Sequence, residues 1–148
     1  MKYTDYLKIH KKCPFCYGIK RRNLVENEHA ILTYAQAPYH KYHLIVVPKR
    51  HVDHIKDLSW DENICIMALL VTAIKVLDKI GHDDCSIVAR DGRAPGKSVE
   101  HLHYHIIPGG VIEDISVGLE VRKLLSVDEE EALKNELRKS LGKINTSS

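Results

Sequence analysis

The segment HLHYHIIP, residues 101–108, alternates histidine with apolar or aromatic residues, and it restricts the fold of this chain more tightly than any other stretch. A period of two is that of an extended strand. His101, His103 and His105 would then leave one face, successive rings roughly 6.7 Å apart, with Leu102, Tyr104 and Ile106 packing inward on the other. A half-buried strand that only turns polar groups to water ordinarily carries Thr, Lys or Glu. Histidine exchanges protons, attacks electrophiles or binds metals near neutral pH, and three of the chain's ten histidines stand in these five residues. This face is read as a reaction site.

Flanking patterns predict α+β architecture. Residues 29–34 and 43–48 have strand character and are expected to pair as a hairpin; Pro48 closes the second because proline cannot continue a ladder. Ser59-Trp-Asp-Glu62 has capping-box form. Ile64, Met67, Ala68, Val71 and Ile74 recur at helical spacing and Gly81 supplies a stop, which predicts one long amphipathic helix. A strand over 85–89 follows. Ser126-Val-Asp-Glu129 is a second capping box, opening a last helix with Leu133, Leu137 and Leu141 on one face, inside a C-terminal helical extension over about 111–148. This order of elements predicts a largely antiparallel sheet, and 148 residues suit a single domain over 1–148.

A net charge of +2 with a pI near 8.3 is too mild for a nucleic-acid surface, and the basic run Ile19-Lys-Arg-Arg22 is expected to be a solvated loop. The most apolar run, residues 64–74, is too short to cross a bilayer. The N-terminus lacks the apolar core of a signal peptide, so a cytoplasmic location and no membrane partner are expected. Four cysteines should stay reduced there, which makes a close pair a metal or redox candidate.

Two chemistries suit the alternating imidazoles. A single metal held by all three would require rings spread over roughly 13 Å of strand to lean toward one point. Division of labour is easier: central His103 attacks phosphorus as a neutral imidazole while its neighbours position it and the group attacked. The preceding loop, Arg90-Asp-Gly-Arg-Ala-Pro-Gly-Lys-Ser98, suits phosphate. Its glycines let backbone approach an anion, Ser98 offers a hydroxyl, and Arg90, Arg93 and Lys97 carry positive charge. It is not a P-loop, because Asp91 stands where that motif needs its first glycine.

Together, GKSVEHLHYHII and the upstream HLIVVPKRH resemble the signatures of the histidine-triad (HIT) superfamily, over roughly residues 13–109. The resemblance implies a HIT-like fold and a nucleotide hydrolase or nucleotidyl transferase acting at the α-phosphate of a substituted nucleotide, such as a phosphoramidate or dinucleoside polyphosphate. His103 would form a covalent nucleotidyl-histidine. His105 and Ser98 would hold the phosphate oxygens, with Gly96 and Lys97 in the phosphate-binding loop and Arg90 beside the leaving group. The stretch TYAQAPY departs from the pattern. It has no Asp or Asn near Ala35, where many relatives hold the ribose hydroxyls, and offers Tyr34 and Gln36 instead. A nucleotide-binding regulatory protein with weak turnover is the alternative. The resemblance also implies a homodimer built on the long helix and an adjoining strand.

Cys13-Pro-Phe-Cys16 is a Cys-x-x-Cys pair that does not follow a strand and open a helix, as a thioredoxin-like redox motif would, so zinc is preferred. One branch of HIT proteins, shared with galactose-1-phosphate uridylyltransferase, has such a site. By that resemblance the remaining ligands of a structural zinc are His51 and His101, with His54 competing for the place of His51. His10, His29, His40 and His82 are expected at the surface, His43 packing near the site, and Cys65 and Cys85 in the core.

Overall fold

A computed structural model describes residues 1–9, 12–92, 99–109 and 122–146. Five strands, β1 (Val25–Glu26), β2 (Ala30–Tyr34), β3 (Leu44–Pro48), β4 (Cys85–Ala89) and β5 (Tyr104–Pro108), form one sheet in the order β1-β2-β3-β5-β4. Every neighbouring pair is antiparallel, and the expected hairpin is present, with Ala30 opposite Pro48 and Tyr34 opposite Leu44. The helices are α1 (Tyr3–Ile9), α2 (Trp60–Ile80) and α3 (Val127–Thr146). This is the predicted α+β class with a long helix and a C-terminal helix.

Local signals set the helix boundaries. The Ser59 hydroxyl accepts from the Glu62 amide and the Glu62 carboxylate accepts from the Ser59 amide, while Gly81, at φ 109°, ends α2 in the left-handed region. Ser126 and Glu129 make the same reciprocal pair at the start of α3. Burial then fixes α3 in place: Leu133, Leu137 and Leu141 are buried, and each apolar side chain taken from water is worth about 1.5–3 kcal/mol. On the same helix the Glu131 carboxylate, exposed, pairs with the buried Lys134 ammonium at 2.8 Å.

The sheet is covered on both faces, and the period of two sorts its residues. Leu44, Val46, Tyr104 and Ile106 point to the core under α2 and α3; Ile45 and Val47 join a second cluster with Phe15, Ile19 and Val99. His105 lies opposite Ile45 and so belongs to that second face.

Five expectations need correction. The apolar set Ile64, Met67, Ala68, Val71 and Ile74 does not face the core. α2 buries Ile66, Leu69, Leu70, Ala73, Val76 and Leu77, and leaves the predicted set in solvent. Both sides of α2 are apolar, so periodicity alone could not choose between them. The basic run over 19–22 is a 3-10 turn, not a solvated loop: Ile19 and Arg22 are buried, and the Arg22 guanidinium donates to the Tyr34 carbonyl. Strand β5 begins only at Tyr104, so His101 and His103 precede the regular ladder. Cys65 and Cys85 are half-buried at the edge of the core. His40 and His82 are also half-buried, their rings 5.2 Å apart edge to face; His10 lies outside the described residues.

Candidate functional site

The three histidines divide between two places. His101 turns toward Cys13, Cys16 and His51, and the four donor atoms of this cluster all lie within 4.8 Å of one another. The His101 Nδ1 is 3.5 Å from the Cys13 sulfur and 3.6 Å from that of Cys16, and the His51 Nδ1 is 3.2 Å from the Cys16 sulfur. Tetrahedral zinc with bonds of 2.0–2.3 Å sets its ligand atoms about 3.3–3.8 Å apart, and the separations of His101 Nδ1 from the two sulfurs fall in that range. Ring orientation agrees with that geometry. His101 donates from Nε2 to the Pro48 carbonyl at 2.8 Å, which leaves the lone pair on Nδ1, the atom aimed at the sulfurs. Two thiols side by side resist ionising together: partial burial and the neighbouring Cys13 push Cys16 up to about 11, a cost that a cation relieves. His54 is not in this cluster; its Nδ1 meets the Asp91 carboxylate at 3.1 Å.

His103 and His105 face a small cavity. Phe15 lies between the two regions, its ring centroid 5.6 Å from that of His101 and 5.1 Å from that of His103. His103 donates from Nδ1 to the His101 carbonyl at 2.7 Å, so its lone pair is on Nε2. The main-chain amide of Tyr39 can only donate, and it points at the Nδ1 of His43 across 3.2 Å. The His43 proton is therefore on Nε2 and is given to the His105 Nδ1, 2.8 Å away. His105 must then carry its own proton on Nε2, as a donor. Burial is the main reason that both rings are neutral: His43 is pushed down to about 3 and His105 well below its ordinary range, with charges on His103, Arg122 and other neighbours adding to the effect. The site thus offers one lone pair, on His103, and one N–H, on His105, on rings 4.7 Å apart.

His43, expected only as a neighbour, sets the tautomer of His105. Its place just before β3 was visible in the sequence, but its partner is 62 residues away. Tyr34 is directed into the core, with its hydroxyl toward Glu130, whereas Ala35 and Gln36 line the cavity. Arg122, which no sequence pattern singled out, lines it too. Arg90 follows β4, and its charge depresses His105. Arg93, Gly96, Lys97 and Ser98 lie outside the described residues.

The segment after His51 holds both ends of the chain that carries this loop. The Asp53 carbonyl accepts from the Gly92 amide at 2.8 Å, and the Val52 carbonyl from the Leu102 amide at 2.7 Å. Gly92 has φ 69°, in the left-handed region that favours glycine, and a Cβ there would also displace the His54 ring.

Comparison with known proteins agrees with this architecture. An uncharacterized HIT-like protein of Methanocaldococcus jannaschii is 34% identical over 100 residues, 65% of this chain and 78% of that protein. The adenosine 5'-monophosphoramidase of Schizosaccharomyces pombe is 33% identical over 100 residues, 65% and 73% of the two chains. Among solved structures, a Zn-bound histidine triad family protein from Mycobacterium smegmatis superposes with a TM-score of 0.72 at 22% identity, covering 93% of this chain and 99% of that one, a likeness of fold. The family model of the HIT domain matches residues 18–111, and the chain belongs to the HIT domain family.

Proposed function

We propose that this protein is a nucleotide hydrolase or nucleotidyl transferase that cleaves a substituted nucleotide at its α-phosphate through a covalent intermediate on His103. The observation that carries this reading is the hydrogen bond from His103 Nδ1 to the His101 carbonyl, which presents Nε2 as a neutral nucleophile. Nε2 attacks the α-phosphorus, a P–N bond forms, and the bond to the leaving group breaks, that group taking its electron pair and a proton from solvent water. The ring becomes cationic, and the His101 carbonyl stabilises the Nδ1–H that shares the charge. Water, or an acceptor hydroxyl, then attacks phosphorus on the opposite side, releases its proton to solvent, and returns the P–N electron pair to His103. His105, held as an Nε2 donor by His43, binds a phosphate oxygen; Ser98, the Gly96 amide, Lys97 and Arg90 would supply the other phosphate contacts. The S. pombe relative, named for its action on adenosine 5'-monophosphoramidate, supports this substrate class.

Zinc on Cys13, Cys16, His51 and His101 is structural in this reading, as in the uridylyltransferase-like branch, since four protein donors leave no position for substrate. Bound there, it supplies rigidity: it joins the N-terminal segment, the end of β3 and the root of the triad. The chain acts as one domain and as a homodimer. The apolar outer face of α2 and the open edge of β4, where Ile87 is exposed, are the surfaces a two-fold partner would cover. Zinc-binding thiolates at Cys13 and Cys16 and unpaired Cys65 and Cys85 suit a reducing compartment such as the cytoplasm.

Incubation with adenosine 5'-phosphoramidate or a diadenosine polyphosphate, followed by denaturing mass analysis, tests the proposal. The expected result is free AMP and an adenylyl adduct on His103, both lost in His103→Ala. Wild-type turnover in His103→Ala would overturn it. Nucleotide binding without adduct or AMP would favour the regulatory alternative.

A further inference from the structure

Arg122 belongs to two cavities at once. On one side is the space beside the imidazoles, about 20 Å³, walled by Phe15, Ala35 and Ile45 and by the polar groups of Gln36, His103 and His105. On the other is an open cavity of about 490 Å³ lined by Pro38, Tyr39, Lys123 and Glu129. Arg122 is thus the residue of this region that faces both the imidazoles and the larger cavity.

The guanidinium is held in place. Its Nη1 donates to the Ala37 carbonyl at 3.0 Å, and its central carbon lies 4.2 Å from the centroid of the Tyr39 ring, over the face. Tyr39 in turn stacks on His43 at 5.6 Å, and its amide fixes the His43 tautomer. A guanidinium positioned by such contacts loses little further freedom on binding an anion, and its planar set of donors matches phosphate or sulfate oxygens. It has no acceptor to offer a sugar hydroxyl or an ammonia leaving group.

The local charges point the same way. Among the described residues lining the smaller cavity there is no carboxylate. In the larger one Lys123 adds a second cation, and the opposing carboxylate of Glu129 accepts from the Ser126 amide at 2.7 Å as the cap of α3. Arg90 acts on the same region from the end of β4, since its charge and that of Arg122 both bear on His105 and on Tyr39.

We propose that Arg122 is a specificity-determining residue that selects ligands bearing a second anionic group, a phosphate or sulfate, next to the phosphate facing His103 and His105. This rests on the nucleotide reading above. The second group has two possible sources, the 5' chain beyond the α-phosphate or the sugar.

Calorimetric titration of AMP, ADP and adenosine 3',5'-bisphosphate into the wild type, Arg122→Ala and Arg122→Lys separates these outcomes. In the wild type one of the two doubly phosphorylated ligands should bind about ten- to hundredfold more tightly than AMP, as expected for a charge-assisted contact. ADP as the preferred ligand locates the group on the 5' chain, and the bisphosphate locates it on the sugar. Arg122→Ala should bring that ratio close to one, the doubly phosphorylated ligand losing more affinity than AMP, and Arg122→Lys should recover part of it. A ratio unchanged in Arg122→Ala, or no preference in the wild type, overturns the role of Arg122 while leaving nucleotide binding intact. An Arg122→Ala variant that melts early and loses AMP affinity equally would make the residue structural. Wild-type protein that binds none of the three ligands defeats the nucleotide reading itself.

Discussion

His43 donates from Nε2 to the Nδ1 of His105 across 2.8 Å, and the direction of this bond is dictated by the Tyr39 amide on the far side of the His43 ring. A main-chain N–H thus determines, through two imidazoles, that His105 presents a proton to the site.

Removing the middle of that relay should impair catalysis and not folding alone. In His43→Ala the buried Nδ1 of His105 loses its donor, at about 1–3 kcal/mol, and the ring can take the opposite tautomer. We expect kcat to fall about tenfold to hundredfold with KM little changed, and His43→Gln, which keeps an N–H, to lose less. Steady-state kinetics on adenosine 5'-phosphoramidate checks this; a kcat equal to wild type would show that the relay is idle.

Acid should destabilise the protein through the same ring. The unfolded chain takes up a proton on His43 near its ordinary value of 6.5, whereas the folded ring, held at about 3 chiefly by burial, does not. Between these values the unfolded state binds more protons, so stability falls as pH drops from about 6.5 toward 3, by on the order of 1.4 kcal/mol per pH unit, and is flat above. His105, shifted in the same direction, adds to the slope. Glu62, held down to about 2 first by its bond with Arg50, contributes stability above its ordinary 4.5 that is lost as pH falls toward 2. Urea midpoints of wild type and His43→Gln between pH 7.5 and 4.5 isolate the His43 share. Parallel curves for the two proteins would contradict the assignment.

Purified protein should contain one zinc per chain, and Cys13→Ser/Cys16→Ser should contain none. Structural zinc sites in zinc-finger peptides bind with roughly 10–16 kcal/mol at neutral pH, comparable with the ~5–15 kcal/mol net stability of a whole domain. Loss of the ion should therefore lower the melting temperature and slow catalysis by loosening His101 and the chain on either side of residues 93–98. Metal analysis beside thermal unfolding tests this, and a double mutant as stable as wild type would leave the cysteines as ordinary thiols. In His54→Ala zinc should be retained, because His54 pairs with Asp91 outside the cluster.

Wild type should sediment and scatter as a dimer, and Ile64→Glu/Met67→Glu should be a monomer. Both side chains are exposed on α2, at 65% and 60%, so the substitutions remove no core packing and should leave the monomer folded. A monomeric wild type at micromolar concentration would reject the dimer.

Interactions that act within a few residues were legible in the sequence. The capping pairs Ser59–Glu62 and Ser126–Glu129 span one helical turn, Pro48 closes β3 by lacking a donor, and the alternation within β5 sets Tyr104 and Ile106 on the face opposite His105. Family resemblance extended this reading to Cys13, Cys16, His51 and His101, which the structure draws into one cluster. Local pattern alone could not choose His51 over His54, because both stand in the same four-residue segment after β3 and only the path of the chain there sends one to the cysteines and the other to Asp91.

Tertiary structure decided what depends on register and on which surface meets which. α2 has two apolar sides, and hydrophobicity does not mark which one a sheet will cover; the packing of Leu69, Ala73, Val76 and Leu77 against the strands made that choice and left Ile64, Met67, Val71 and Ile74 outside. His43 and His105 are separated by 62 residues, and Arg122 stands 85 residues from the Ala37 carbonyl that holds it. No periodicity links such positions. They meet because β3 and β5 pair antiparallel in one register, with Ile45 opposite His105, and because the chain returns to the sheet before α3 begins. A one-residue slip of that pairing would carry His105 to the helix side and separate it from His43.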